Sequence, residues 1–245
     1  AYMSVWNGKP ESILVDMAQL PTAPNKLLPW LVITGPVFEE CGGKEGIPNE
    51  AVINEMEKVL DATGSMLRGA TAAKLVGTVT RNCTRLNYYY VRDTTAVRHA
   101  INRMYTNTYA GYKYELKIKQ DPDWKIYRTF LYPDSATQCW MACVKQIAAI
   151  GPSKDVLASD QNIFFTLFFP NAAARSEFEL VAERQGYKTK KTALVQGITP
   201  LFEIEIARPL RLAVDSILAN EATLKTLAAQ YKGHYKGWNI PQINR

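Results

Sequence analysis

The sequence predicts an α+β protein of two tandem βαββαβ units, each with an antiparallel sheet. Three observations carry the prediction. The order strand, helix, two strands, helix, strand recurs on either side of a central aromatic stretch, Asp121-Pro122-Asp123-Trp124-Lys125-Ile126-Tyr127-Arg128-Thr129-Phe130-Leu131-Tyr132-Pro133. A chain of 245 residues with 47% hydrophobic content can fill two modest cores of roughly 100–130 residues each. A charged fraction of 21%, without Gly/Ser-rich or Pro-rich tracts, predicts order almost throughout.

In the first unit, Ser12 to Ala18 alternates as a short edge strand. Trp30 to Val37 is a buried strand, ended by Pro36 and the glycine-containing stretch Cys41 to Gly46. Asn49 is placed to cap a helix over 50–67, its carbonyl accepting from a free first-turn amide, and Val52, Ile53, Met56, Val59, Leu60 and Leu67 make its apolar stripe. Lys74 to Thr80 and Arg85 to Val91 form a hairpin turning at Asn82-Cys83-Thr84, with aromatics on both faces: Leu86, Tyr88 and Tyr90 on one, Asn87, Tyr89 and Val91 on the other. A helix over 94–106 presents Val97, Ile101, Met104 and Tyr105, and Tyr112 to Gln120 closes the unit.

Residues 135–150 read as a joining helix with Trp140, Val144 and Ile147 on its apolar face, stopped by Gly151-Pro152. The second unit follows: strand 163–169, helix 172–185 ending at Gly186, strands 188–195 and 201–207, helix 213–231, and a last strand near 235–240. Phe178, Val181 and Ala182 are its expected core positions on the first helix. Both units are therefore expected to be ferredoxin-like α/β sandwiches of split-βαβ topology, as domains 1–133 and 134–245, the latter led by the linker helix.

The net charge of +6 is unevenly spread. Glu39, Glu40, Glu45, Glu50, Glu55, Glu57 and Asp61 face only Lys44 and Lys58 within 39–61, whereas 68–103 is basic but for Asp93. Solvated faces of a helix and a strand pair explain this; steering of a charged partner is the functional alternative. No apolar run reaches the roughly 18–20 residues that cross a bilayer, so no membrane span is expected. The opening Ala1-Tyr2-Met3 suggests a processed precursor, an artificial boundary or a tag remnant ahead of Met3.

No constellation names a reaction. His99 and His234 fall in different units, so a histidine triad or metal pair would need both units to converge. Gly42-Gly43-Lys44-Glu45-Gly46 lacks the spacing of a phosphate loop and reads as a flexible turn. Glu203 and Glu205 share a strand face and are expected to be solvated rather than acid/base catalysts. The cysteines match no zinc pattern, so neither metal nor cofactor is expected. Cys41 follows one strand and Cys83 ends another, so they can pair as a disulfide or remain as buried thiols; Cys139 and Cys143, four apart on a helix, are expected to stay unpaired. Tyr88 and Tyr90 near Arg81, Arg85 and Arg92 invite an RNA-binding reading, but the glycine and aromatic pattern of such strands is missing and Glu203 and Glu205 would repel phosphate. Direct nucleic-acid binding is therefore not expected. Trp124, Tyr127, Arg128, Phe130, Tyr132 and Trp238 are the candidate interaction or interdomain surface, read first as glue joining the units or covering a core edge, with a protein interface as the alternative.

The alternating strand Leu201-Phe202-Glu203-Ile204-Glu205-Ile206, the long helix after it and Gly233-His234-Tyr235-Lys236-Gly237-Trp238 resemble the family of the bacterial regulator of ribonuclease E activity B, RraB, over about 140–245. Val76-Gly77-Thr78-Val79-Thr80, Leu86-Asn87-Tyr88-Tyr89-Tyr90-Val91 and the stretch from Asp121 to Pro133 are similar to a bacterial domain family of unknown function that often precedes such domains. The resemblance implies a ferredoxin-like fold and inhibition of ribonuclease E by binding rather than chemistry. The chain departs from the RraB pattern at Ser159-Asp160-Gln161-Asn162, where an Asp-His-Trp-like approach is expected, and it lacks a strongly acidic insert. Similarity to exported Bacteroidetes-like relatives with cysteines near 41 and 83 implies the Cys41–Cys83 disulfide and a periplasmic or exported location, with the cytoplasm as alternative. The expected function is a non-catalytic, protein-binding regulator or antagonist. A nucleic-acid-binding module is second and a hydrolase of unknown substrate third.

Overall fold

The computed structural model describes residues 1–151 and 153–240, and each of its two units, Ala1–Thr137 and Gln138–Arg245, is built on one antiparallel sheet. In the first unit the elements are β1 (Tyr2–Trp6), β2 (Lys9–Val15), β3 (Trp30–Val37), α1 (Glu50–Ala70), β4 (Ala73–Arg81), β5 (Thr84–Val91), α2 (Val97–Asn107) and β6 (Lys113–Gln120). The sheet order is β1-β2-β4-β5-β3-β6. The β4-β5-β3-β6 part has the split-βαβ order of a ferredoxin-like sandwich, and the hairpin β1–β2 extends it beyond β4.

That hairpin corrects the single edge strand expected over 12–18. Asn7 and Gly8 both have positive φ (49° and 74°), which a two-residue turn of the right twist requires and which Asn-Gly adopts at little cost. The strand stops at Val15 because the Asp16 carboxylate accepts from Ala18 N (3.2 Å) and starts a 3-10 turn over Met17–Thr22. Elsewhere the first unit follows its sequence closely. Asn49 Oδ1 accepts from Val52 N at 3.0 Å and caps α1, which buries Met56, Val59, Leu60 and Leu67 but leaves Val52 and Ile53 half-buried. Val32, Val59, Leu67, Tyr89, Val91, Val97, Ile101 and Tyr105 form the core between the helices and the sheet. Pro36 does not end β3: it pairs with Tyr114 of β6, and the strand runs to Val37.

The second unit comprises α3 (Ser135–Ile150, beginning at the boundary), α4 (Lys154–Ala158), β7 (Asp160–Phe169), α5 (Ala172–Arg184), β8 (Lys188–Val195), β9 (Leu201–Arg211), α6 (Val214–Gln230) and β10 (His234–Asn239). Its order, β10-β7-β9-β8, is again the ferredoxin-like one. Ile163, Phe165, Leu167 and Phe169 of β7 meet Ile204 and Ile206 of β9, Phe178 of α5 and Ile217 and Leu224 of α6. Gly186 ends the turn after α5 with φ 88°. The long α3 packs through Cys143, Ile147 and Ile150, one row round from the expected face, which leaves Trp140 38% exposed. The short α4, capped by Ser153, was not expected, and β7 and β9 run longer than their most apolar segments. Pro152, expected to help stop α3, lies outside the described residues.

Candidate functional site

The stretch 121–133 closes over the face of the first sheet that lacks helices. Asp121 organises it: Oδ1 accepts from Lys125 N (2.8 Å), and Oδ2 accepts from Ile126 N (3.0 Å) and from the Tyr90 hydroxyl (2.6 Å). The chain reverses at Trp124, whose φ of 53° is costly for a bulky residue. Its indole compensates by stacking on Tyr90 (centroids 4.2 Å apart, 9° between planes) and donating to Leu28 O at 3.0 Å. Tyr127 packs edge-on against Trp124 and donates to Asp16 O at 2.9 Å, and Tyr2 donates to Leu131 O at 3.0 Å. Phe130 lies over Tyr88, and Tyr132 against Tyr127. This clasp is why β5 carries aromatics on both faces: Tyr89 and Val91 meet the helices, while Tyr88 and Tyr90 meet the clasp.

These contacts hold Trp124 and Tyr127, read first as glue joining the units, within the first unit. Both are buried, and the partners just described all belong to the first unit. Phe130 and Tyr132 are half-buried and Arg128 is exposed. Burial raises the Tyr88 and Tyr127 hydroxyls to about 12 and drives Tyr90 higher still, where the hydrogen bond to Asp121 adds to desolvation. Trp238 sits in the second core, with its carbonyl accepting from Gln146 Nε2 at 2.7 Å.

Cys41 and Cys83 are joined as a disulfide with Cα atoms 5.3 Å apart, and Cys139 and Cys143 are free. Burial raises the Cys143 thiol to about 11, which suits an inert packing residue. The bond pins the 41–49 loop to the β4–β5 turn, where Cys83 N also donates to Gly46 O (2.8 Å) and Asn49 N to Cys41 O (2.9 Å). The segment expected as a flexible turn is thus fastened at both ends. A side chain at Gly43 would meet Ile47 O at 1.6 Å, so glycine there serves close packing rather than phosphate.

All four helices of the second unit contribute to the core on one face of its sheet, through residues such as Cys143, Val156, Phe178 and Ile217. By strand alternation the opposite face carries Phe164, Thr166 and Phe168 of β7, Glu203 and Glu205 of β9, Lys191 of β8, and His234 and Lys236 of β10. Lys236 Nζ lies 5.1 Å from the Phe168 ring centroid, which His234 also flanks. Lys191 Nζ reaches Glu203 Oε1 at 3.8 Å, so the carboxylates on this face are part of a mixed-charge surface. Glu203 and Glu205 are half-buried rather than fully solvated. Phe164 and Phe168 escaped sequence reasoning, although the paired aromatics Phe164-Phe165 and Phe168-Phe169 signalled a strand apolar on both faces. Among the described residues no group of three or more His, Cys, Asp or Glu is arranged to hold a metal, and no helix is long and apolar enough to cross a membrane.

Comparison with known families places the two units separately. A model described as a family of unknown function, DUF695, matches residues 1–132, more than half of the chain. The chain belongs to that family. The model for regulator of ribonuclease activity B matches residues 145–240, and so covers α4 and everything from β7 to β10 but only the C-terminal end of α3. No curated protein matches. Among solved structures, a protein provisionally described as a glycine cleavage system transcriptional repressor is 9% identical over 87% of this chain and 98% of its own, with a TM-score of 0.24. An unknown protein from Galdieria sulphuraria is 8% identical over 88% and 98%, also with a TM-score of 0.24. Likenesses this slight carry no conclusion about fold or function.

Proposed function

We propose that this DUF695 chain is a non-catalytic regulator that acts by binding a protein, with its second unit directed at a ribonuclease. The observation that carries the reading is the match of 145–240 to the regulator of ribonuclease activity B. The helix-free face of that unit supports it. Phe164, half-buried, supplies apolar contact beside the buried Phe168, and Glu203, Glu205, Lys191 and Lys236 supply a mixed-charge rim, the composition by which protein interfaces combine affinity with orientation. Two carboxylates on β9 beside the aromatics oppose a polyphosphate ligand.

The reading extends to an oxidising compartment, periplasmic or otherwise exported. Its support is the Cys41–Cys83 bond, since a reducing cytosol keeps such thiols apart. The test is an RNA-cleavage assay with purified ribonuclease E and the full chain, run beside filter binding to the same RNA. Stoichiometric inhibition with no retention of RNA supports the proposal. Salt-sensitive RNA retention without any protein complex overturns it. Thiol mapping of the chain from its native host tests the compartment separately: free Cys41 and Cys83 would sink export.

A further inference from the structure

The two sheets have four edges, and three of them carry the devices by which proteins discourage strand addition. Edge β6 presents Lys113, Lys117 and Lys119. Edge β8 presents Lys188, Lys190 and Lys191 with a bulge between Thr189 and Lys191. Edge β10 has Lys236 and a bulge between Tyr235 and Gly237. Edge β1, Tyr2-Met3-Ser4-Val5-Trp6, has no charge, no proline and no bulge, and pairs in unbroken register with β2.

Its free side is also apolar. The two-residue loop closes on a hydrogen-bonded pair, Trp6 and Lys9, so Tyr2, Ser4 and Trp6 direct their amides to β2 and Met3 and Val5 direct theirs outward. Met3, Val5 and Leu14 share one sheet face, on the α1 side but beyond the helices, and are 54%, 72% and 51% exposed. We infer that β1 is the seat of a homodimer, in which β1 of a second copy adds antiparallel across a two-fold axis at Ser4.

The register is self-complementary. Met3 pairs with the partner's Val5 and Val5 with the partner's Met3, each an outward-pointing pair that exchanges two backbone hydrogen bonds. The two copies of Met3 and Val5 then cover one another, with the Leu14 side chains flanking them. A second copy fits where a charged peptide does not, because the strand offers no side-chain charge to pair with and none to repel its own image. Pairing of this kind joins two six-stranded sheets into one and is argued from first-unit residues alone, so it stands independently of the ribonuclease reading.

Sedimentation equilibrium of the full chain over roughly 1–100 µM, the range a small interface reaches, tests the inference. Reversible dimerisation is expected. Val5→Lys, at a solvent-exposed side chain, and Val5→Pro, which removes an outward amide without touching the β1–β2 pairing, should each weaken it at least about tenfold. Leu194→Lys on edge β8 should leave it unchanged. In the wild-type chain, hydrogen exchange at the Met3 and Val5 amides should slow with concentration while Ser4 and Trp6 stay protected throughout. A monomer at every concentration, or a dimer indifferent to both Val5 variants, overturns the inference.

Discussion

Replacing Trp124 by alanine removes the ring on which the first unit's clasp is built. The side chain is 2% exposed, stacks on Tyr90 at 4.2 Å and donates to Leu28 O at 3.0 Å. Truncation of a buried aromatic costs about 3–5 kcal/mol, and the Leu28 carbonyl loses its indole donor. Alanine does not relieve the positive φ, so nothing offsets the loss. A net destabilisation of about 4 kcal/mol corresponds to a fall in Tm of roughly 10–15 °C for a domain of this size. Differential scanning calorimetry of the full chain reads the outcome by unit. The transition of the first unit should fall by that amount while that of the second stays in place. A shift below about 0.5 kcal/mol, or an equal shift of both transitions, would refute the clasp as an element internal to the first unit.

Two further perturbations follow from the same contacts. Tyr88 and Tyr127 are held near 12, above the ordinary tyrosine value, so the fold binds their protons more tightly than the unfolded chain does. The stability this confers is complete below about pH 10 and is lost as pH rises towards 12; ultraviolet titration should show a late tyrosine group ionising together with loss of the first unit's structure. Reducing the Cys41–Cys83 bond, which spans 42 residues, should cost about 4 kcal/mol by loop entropy, seen in denaturant melts of the first unit with and without reductant.

Most of the fold was legible because local signals and tertiary packing agreed. Asn49, Gly186 and the alternation of β4, β5 and β9 are read directly from residue type and period, and the structure uses each in the expected way. The misses have physical causes. Asn7-Gly8 is a strong hairpin signal, but the flanking strands are half-exposed and lack a clear alternation, so the turn stood without visible strands. The two-faced aromatics of β5 showed that something covers both sides without showing what. The cover is the 121–133 segment, whose side chains read as a spacer between units because its partners Tyr90, Leu28 and Asp16 are remote in sequence. The helix-free face of the second sheet was half legible: Glu203 and Glu205 were placed on it, whereas Phe164 and Phe168 were absorbed into an apolar run whose two faces periodicity alone does not rank.

The central claim is that the second unit binds a protein through that face. Calorimetric titration of ribonuclease E with the full chain, alongside Phe164→Ala, tests it most directly. The account predicts saturable binding to the wild-type chain, weakened at least about tenfold by a truncation at the centre of the interface, with unchanged melting of the second unit's core. No heat of binding, or equal affinity for both chains, would contradict it.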